Sequence, residues 1–327
     1  MARISMLLAG FAAAFIAAGA AAQTTTSEDL VVTGNRTVRE MAQDYAGAVA
    51  VAPGSADQYA RWNRRLCPRV AGLPAADAQT LIDHIAMRAH EFGIEVEPTG
   101  CSANFVIIFT ADSDAVARQI VDSRRDLLGY YNDDDLVTDG REGLERFAST
   151  PRPVRWWHVA RTTTADGQQL GNSGSRVGRS TADAQAAQQS GDLGGGAAMV
   201  GNGYSGVEAV RSNGTRTRRA IRQDLSFALM IVDSRRIAGL PPQAVADYLA
   251  MATLVQLDPQ ADLSAFPTVL NLFSDPQAGR AAPTGMTEWD IAYLHGLYDA
   301  QREAPSARAQ RNDIAGRISR SMERASR

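Results

Sequence analysis

The run Asn104-Phe105-Val106-Ile107-Ile108-Phe109-Thr110 decides the fold class. Five consecutive apolar residues, mostly β-branched or aromatic and closed by threonine, fit a short strand whose two faces are both buried. Such a strand needs helices on either side of its sheet. The flanking sequence supplies them: Leu81, Ile82, Ile85, Ala89 and Phe92 form one apolar stripe that follows Pro74 and ends at Gly93. After the run, Val116, Ile120 and Leu127 mark another helix over 113–128. An α/β (α+β) body, a mixed sheet flanked by helices, is the resulting expectation.

Working outward, residues 36–50 carry Val38, Met41, Ala42, Tyr45 and Val49 at helical spacing, and Ile94–Val96 reads as a short strand. Residues 133–147 read as an acidic helix or turn. In 153–163, Val154, Trp156, His158 and Ala160 alternate with Arg155, Trp157, Val159 and Arg161, as in a strand. Leu225–Val232 is a further strand, and Pro241-Pro242 opens a helix to Leu257. Asp262–Phe273 and Thr287–Tyr298 read as helices, the second capped by Thr287 with Asp290 in the capping-box position. The arginine-rich tail over 305–325 shows a narrow stripe of Ile314, Ile318 and Met322, expected to dock on the body or fray. Ala71-Gly72-Leu73-Pro74 recurs as Ala238-Gly239-Leu240-Pro241. Four shared residues fit one kind of turn used twice better than a duplicated half.

Between the halves, 163–220 holds 12 of the chain's 28 glycines and one aromatic, Tyr204. Too little apolar surface is available there to offset ordering entropy, so a flexible insertion is expected. The first half of the body is then 36–162 and the second 221–327.

The amino end reads as an export signal over 1–22: Arg3, an apolar run Met6–Ala18, then Ala20-Ala21-Ala22 before Gln23. A linker over 23–35 follows. Its Asp29-Leu30-Val31-Val32-Thr33-Gly34 resembles the start of the plug in TonB-dependent outer-membrane receptors, for six residues only; the alternating strands of a barrel are missing from the rest. A periplasmic or secreted protein is expected, with no transmembrane span in the mature chain. Export makes Cys67 and Cys101, the two cysteines, a disulfide pair rather than free thiols.

Of the 327 residues 45% are hydrophobic and 21% charged, which excludes collagen-like, wholly disordered and multispan classes. The 33 basic residues are all arginine, so Schiff-base and P-loop lysine chemistry is excluded. A formal charge of −3 gives no electrostatic case for nucleic acid.

Chemical motifs are sparse. Gly201-Asn202-Gly203-Tyr204-Ser205-Gly206 spells a dinucleotide fingerprint without its strand and helix, and reads as loop. Asp133, Asp134, Asp135 and Asp139-Gly140 suggest a calcium loop, but Val137 and Arg146 fall at ligand positions, leaving a solvated helix start. Arg211, Arg216, Arg218, Arg219 and Arg222 make a basic stretch without interleaved aromatics, read as solvated loop. His84 and His90, six apart, point to different helix faces, and neither H-E-x-x-H nor G-x-S-x-G occurs. His295 reads as a packing residue. His158, beside two tryptophans, is the candidate general base, and a hydrolase would use His158 or His84 with a carboxylate such as Asp247.

Asp247-Tyr248-Leu249-Ala250-Met251-Ala252, Leu257-Asp258-Pro259, Leu270-Asn271-Leu272-Phe273 and Met286-Thr287-Glu288-Trp289-Asp290 together resemble a group of exported proteobacterial proteins of unknown function. Arg61-Trp62 through Cys101-Ser102-Ala103-Asn104 is similar in order. A more distant resemblance is to a zincin-like domain family of lipoproteins. It implies a divergent hydrolase, inactive as a metallopeptidase because Asp247, Tyr248 and Ala250 stand where a metal-binding helix carries His or Glu. The expectation carried forward is a non-enzymatic binding or scaffold protein of the cell envelope, with an envelope protein as possible partner and no cofactor or metal.

Overall fold

The computed structural model describes residues 37–52, 56–129, 136–168, 217–274 and 281–326. Within them a five-stranded sheet has the order β1-β2-β5-β4-β3, where β1 is Pro68–Ala71, β2 Phe105–Thr110, β3 Leu136–Val137, β4 Val154–Thr164 and β5 Ile221–Asp233. β1, β2 and β5 are parallel; β4 runs antiparallel to β5, and β3 to β4. The sheet is therefore mixed, as expected from the sequence.

Seven α-helices flank it among the described residues: α1 Val38–Val49, α2 Ala75–Glu91, α3 Ser113–Ser123, α4 Gly140–Ser149, α5 Pro242–Leu254, α6 Glu288–Asp299 and α7 Ala307–Ala325. The alternation of β2 explains the layering. Phe105, Ile107 and Phe109 face the larger core with α2 and α5, while Val106 and Ile108 pack into a smaller core with Ala117 and Val121 of α3 and Leu144 and Phe147 of α4. β4 divides in the same way: Trp157 and Val159 join the smaller core, Val154 the larger. Every residue of α5 from Ala244 to Leu254 is buried, as its all-round apolar sequence requires. α7 packs on α1 and α6, so the arginine-rich tail docks rather than frays.

Local chemistry sets the ends of these elements. Thr37 and Glu40 form a capping box at α1, and Thr287 and Asp290 form another at α6. Arg61, 3% exposed, gives its guanidinium to the carbonyls of Leu297, Tyr298 and Ala300 at the carboxyl end of α6, where a cation complements the helix dipole. Gly72 and Gly239 both adopt left-handed backbone, at φ 84° and 83°, immediately before α2 and α5. The repeated tetrapeptide is thus the same turn used twice, to launch two helices that pack against each other.

Cys67 and Cys101 are bonded, with Cα atoms 6.0 Å apart. Closing this loop contributes about 4 kcal/mol in the chain-entropy model. Asn104 reinforces the bond by accepting from the Cys67 amide at 2.7 Å and donating to the Arg65 carbonyl at 2.9 Å. Cys67 precedes β1, a strand the sequence expectation lacked, so the bridge joins the starts of two parallel strands rather than a strand and a helix.

Other expectations need correcting. Ile94–Val96 forms only an isolated bridge, Val96 with Leu66. Asp262–Phe273 is a strap of turns with one 3-10 turn at Val269–Asn271; Pro267 interrupts it, and the Asn271 amide holds the carbonyls of Leu263 and Phe266 in a non-helical path. The helix over 113–128 ends at Ser123 and continues as a 3-10 turn, Arg125–Leu128. The acidic segment gives β3 and α4, with Asp133–Asp135 outside the described residues. The β4–β5 ladder runs from Val154 opposite Val232 to Thr164 opposite Ile221, so 163–220 connects two paired strands. The expected signal (1–22), the linker (23–35), Gly201–Gly206 and the interior of the expected insertion, 169–216, lie outside the described residues.

Candidate functional site

His84 and Arg88 lie one turn apart on α2 and both reach Asp247 of α5, whose carboxylate is fully buried. His84 Nε2 is 2.6 Å from Oδ1. Arg88 donates Nε to Oδ1 at 2.8 Å and its terminal nitrogen to Oδ2 at 3.0 Å. The Met286 amide donates to Oδ2 at 2.9 Å. A Cβ on Gly285 would sit 2.7 Å from Oδ2, so glycine there allows the loop's close approach. Burial acts to raise the Asp247 carboxyl, yet the hydrogen bonds from Arg88, His84 and Met286 outweigh it and hold the group below its ordinary value. The carboxylate is saturated with donors, an arrangement suited to locking α2 onto α5.

His158 stands apart from this cluster. It is 5% exposed on β4, with Nε2 2.7 Å from the Ala252 carbonyl of α5. Burial pushes its imidazole down to about 4, against a raising contribution from that carbonyl. The ring is neutral at physiological pH and donates Nε2–H to Ala252, and so low a value makes it a weak base. Among the described residues no group of three His, Cys, Asp or Glu side chains converges on a metal-sized site.

His295 rests edge-on against Phe92 with ring centroids 4.9 Å apart, and His90 is exposed. Of the basic stretch, Arg219 reaches Asp57 and the Pro305 carbonyl, and Arg222 meets Asp224. These two arginines tie the ladder's start to the body and are not a free basic loop; Arg211 and Arg216 lie outside the described residues. Asp139 is partly buried at the start of α4, and burial raises its carboxyl despite Arg146 nearby, so it is not the solvated helix start expected.

A cavity lies elsewhere, at the start of β4. β4 begins next to the end of β5, Val154 opposite Val232. Trp156 and Val154 of β4, Tyr248 of α5, and the strap from Leu257 to Phe273 enclose about 260 Å³ there. Concave, largely apolar sites with a few converging polar groups are where small ligands bind. Three rings form its wall: Trp156 and Tyr248 have centroids 6.3 Å apart, Tyr248 and Phe273 4.7 Å. The guanidinium of Arg152, just before β4, lies 5.7 Å from the Trp156 ring centroid. Burial pushes the Tyr248 hydroxyl up, so it stays protonated. Asp258, Asp262, Ser264 and Asn271 supply further polar groups.

The sequence candidates thus separate into a buried tie, His84 with Asp247, and a buried strand histidine, His158. The cavity residues Arg152, Tyr248 and Phe273 were not candidates for binding. The available signal was the pair Arg152-Pro153 placed just ahead of a strand with two tryptophans. No family model matches the chain, and neither a curated protein nor a solved structure matches it.

Proposed function

We propose that the chain is a non-enzymatic binding protein of the cell envelope whose ligand seat is the Trp156–Tyr248–Phe273 cleft. One observation carries the reading: an open cavity of about 260 Å³ at the start of β4, walled by three aromatic rings beside an arginine. Rings give a small ligand a large apolar contact, and the surrounding carboxylates, amide and guanidinium fix its orientation. The envelope location rests on the export signal read at the amino end and fits the Cys67–Cys101 bond.

The divergent zincin-like hydrolase has the His84–Asp247 contact in its favour. Against it, Asp247 is already occupied by Arg88 and the Met286 amide, and a metal would have to displace both. Titrating the purified mature protein with N-phenyl-1-naphthylamine tests the binding reading. Saturable binding of one dye per chain is expected, abolished in a folded Trp156→Ala variant. Absence of saturable binding, or stoichiometric zinc lost on mutating His84 and Asp247, would overturn the proposal.

A further inference from the structure

We infer that the ligand of this cleft is an organic anion, an apolar body bearing a carboxylate, sulfonate or phosphate, and that Arg152 receives the acidic group. The inference rests on the binding reading above and narrows it to a chemical class. Arg152 lines both the aromatic cleft and a neighbouring small cavity, together with Trp156 and Pro259. Its guanidinium covers the Trp156 ring, and among the described residues it has no ion-pair or hydrogen-bond partner.

Two other arginines that line the small cavity carry donors without acceptors among the described residues. Arg155 is 2% exposed; it donates one terminal nitrogen to the Phe147 carbonyl and the other to Asp114, while its Nε–H is buried without a partner. The Nε–H of Arg146 is buried without a partner as well. Unmade hydrogen bonds of buried groups are costly and call for an acceptor. The cavity between them, about 20 Å³, has room for one atom the size of a water oxygen. An oxygen of an acidic group held by Arg152 would fit that space and that donor set.

Acids nearby do not already fill this role. Asp114 is taken by Arg155, and Arg146 is 3.9 Å from Glu142. Asp258 and Asp262 each accept from the backbone of their own turns, at Gln260 and Ser264. Asp139 also lines the small cavity, partly buried and without a direct ion pair among the described residues.

Two dyes with the same ring system separate the possibilities: 8-anilinonaphthalene-1-sulfonate and the uncharged N-phenyl-1-naphthylamine. At low salt the mature protein is expected to bind the sulfonate about tenfold more tightly, as one charge-assisted contact gives. In Arg152→Gln, checked for native circular dichroism, the ratio of the two affinities should fall to about one, whatever the change in the neutral dye's own affinity. Equal affinity in the unmodified protein, or a gap that survives Arg152→Gln, overturns the anion inference and leaves the cleft standing. Failure of both dyes to bind removes the binding reading and the inference with it.

Discussion

Arg88 and Asp247, 159 positions apart in the chain, form a two-pronged ion pair at 2.8 and 3.0 Å between α2 and α5. The partners differ in exposure: the Asp247 side chain is fully buried, whereas that of Arg88 is 17% exposed. Removing the acid leaves Arg88, His84 and the Met286 amide without their shared acceptor. Asp247→Asn should lower stability by about 3 kcal/mol in urea titration. Because the folded-state carboxyl lies below its ordinary 3.8, its contribution is present above that pH and lost as pH falls through the folded value. An unchanged urea midpoint would show that the tie contributes nothing.

His158 gives a separate acid response. Its folded value, about 4, lies below the ordinary 6.5, so its contribution is complete above pH 6.5 and is lost as pH falls toward 4. The difference amounts to about 3 kcal/mol across that window. His158→Gln, which can still donate to the Ala252 carbonyl, should lack this loss. Parallel stability curves for the two proteins between pH 7 and pH 4 would contradict the assignment.

Gly72 and Gly239 share a conformation but not a neighbourhood. A Cβ on Gly72 would lie 1.9 Å from the Phe109 carbonyl oxygen, whereas one on Gly239 meets nothing within 4 Å. Gly239→Ala should cost about 1 kcal/mol, from backbone strain alone. Gly72→Ala should cost about 3 kcal/mol or more, because β1 must move away from β2. Similar thermal midpoints for the two variants would contradict the packing described.

Gln256, 2% exposed, has neither side-chain nitrogen nor side-chain oxygen hydrogen-bonded among the described residues. Gln256→Leu removes both buried polar atoms at little change in shape and should raise stability by about 1–3 kcal/mol. A lower denaturation midpoint would reveal a polar partner for this amide.

Much of the frame was legible because it depends on local patterns. The unbroken run Phe105–Phe109 named a doubly covered strand, Thr287 with Asp290 named a capping box, and the expectation of export, with only two cysteines in the chain, named the Cys67–Cys101 bond. β1 escaped because four residues beginning with Pro68 carry no period, and its pairing with β2 is fixed from a distance by Asn104 and the disulfide. The strap after Asp262 has apolar residues at helical spacing, but the Asn271 side chain holds it in turns. The His84–Asp247 contact was readable only in part: the reading offered His158 or His84 with Asp247 as catalytic candidates but could not show that Arg88 and the Met286 amide saturate the acid. The cleft was least legible, since Trp156, Tyr248 and Phe273 come from a strand, a helix and a strap that meet only in three dimensions.

The central claim is that a small molecule binds against Trp156. The four tryptophans give four indole N–H signals in a nitrogen-15 correlation spectrum. Those of Trp62 and Trp157 are tied to the Thr253 and Leu128 carbonyls in the core, whereas that of Trp156 meets the Leu257 carbonyl at 3.4 Å in the wall of the cleft. Titration with 8-anilinonaphthalene-1-sulfonate should move the Trp156 signal progressively to saturation and leave those of Trp62 and Trp157 in place. A stationary Trp156 signal at saturating dye would contradict the account.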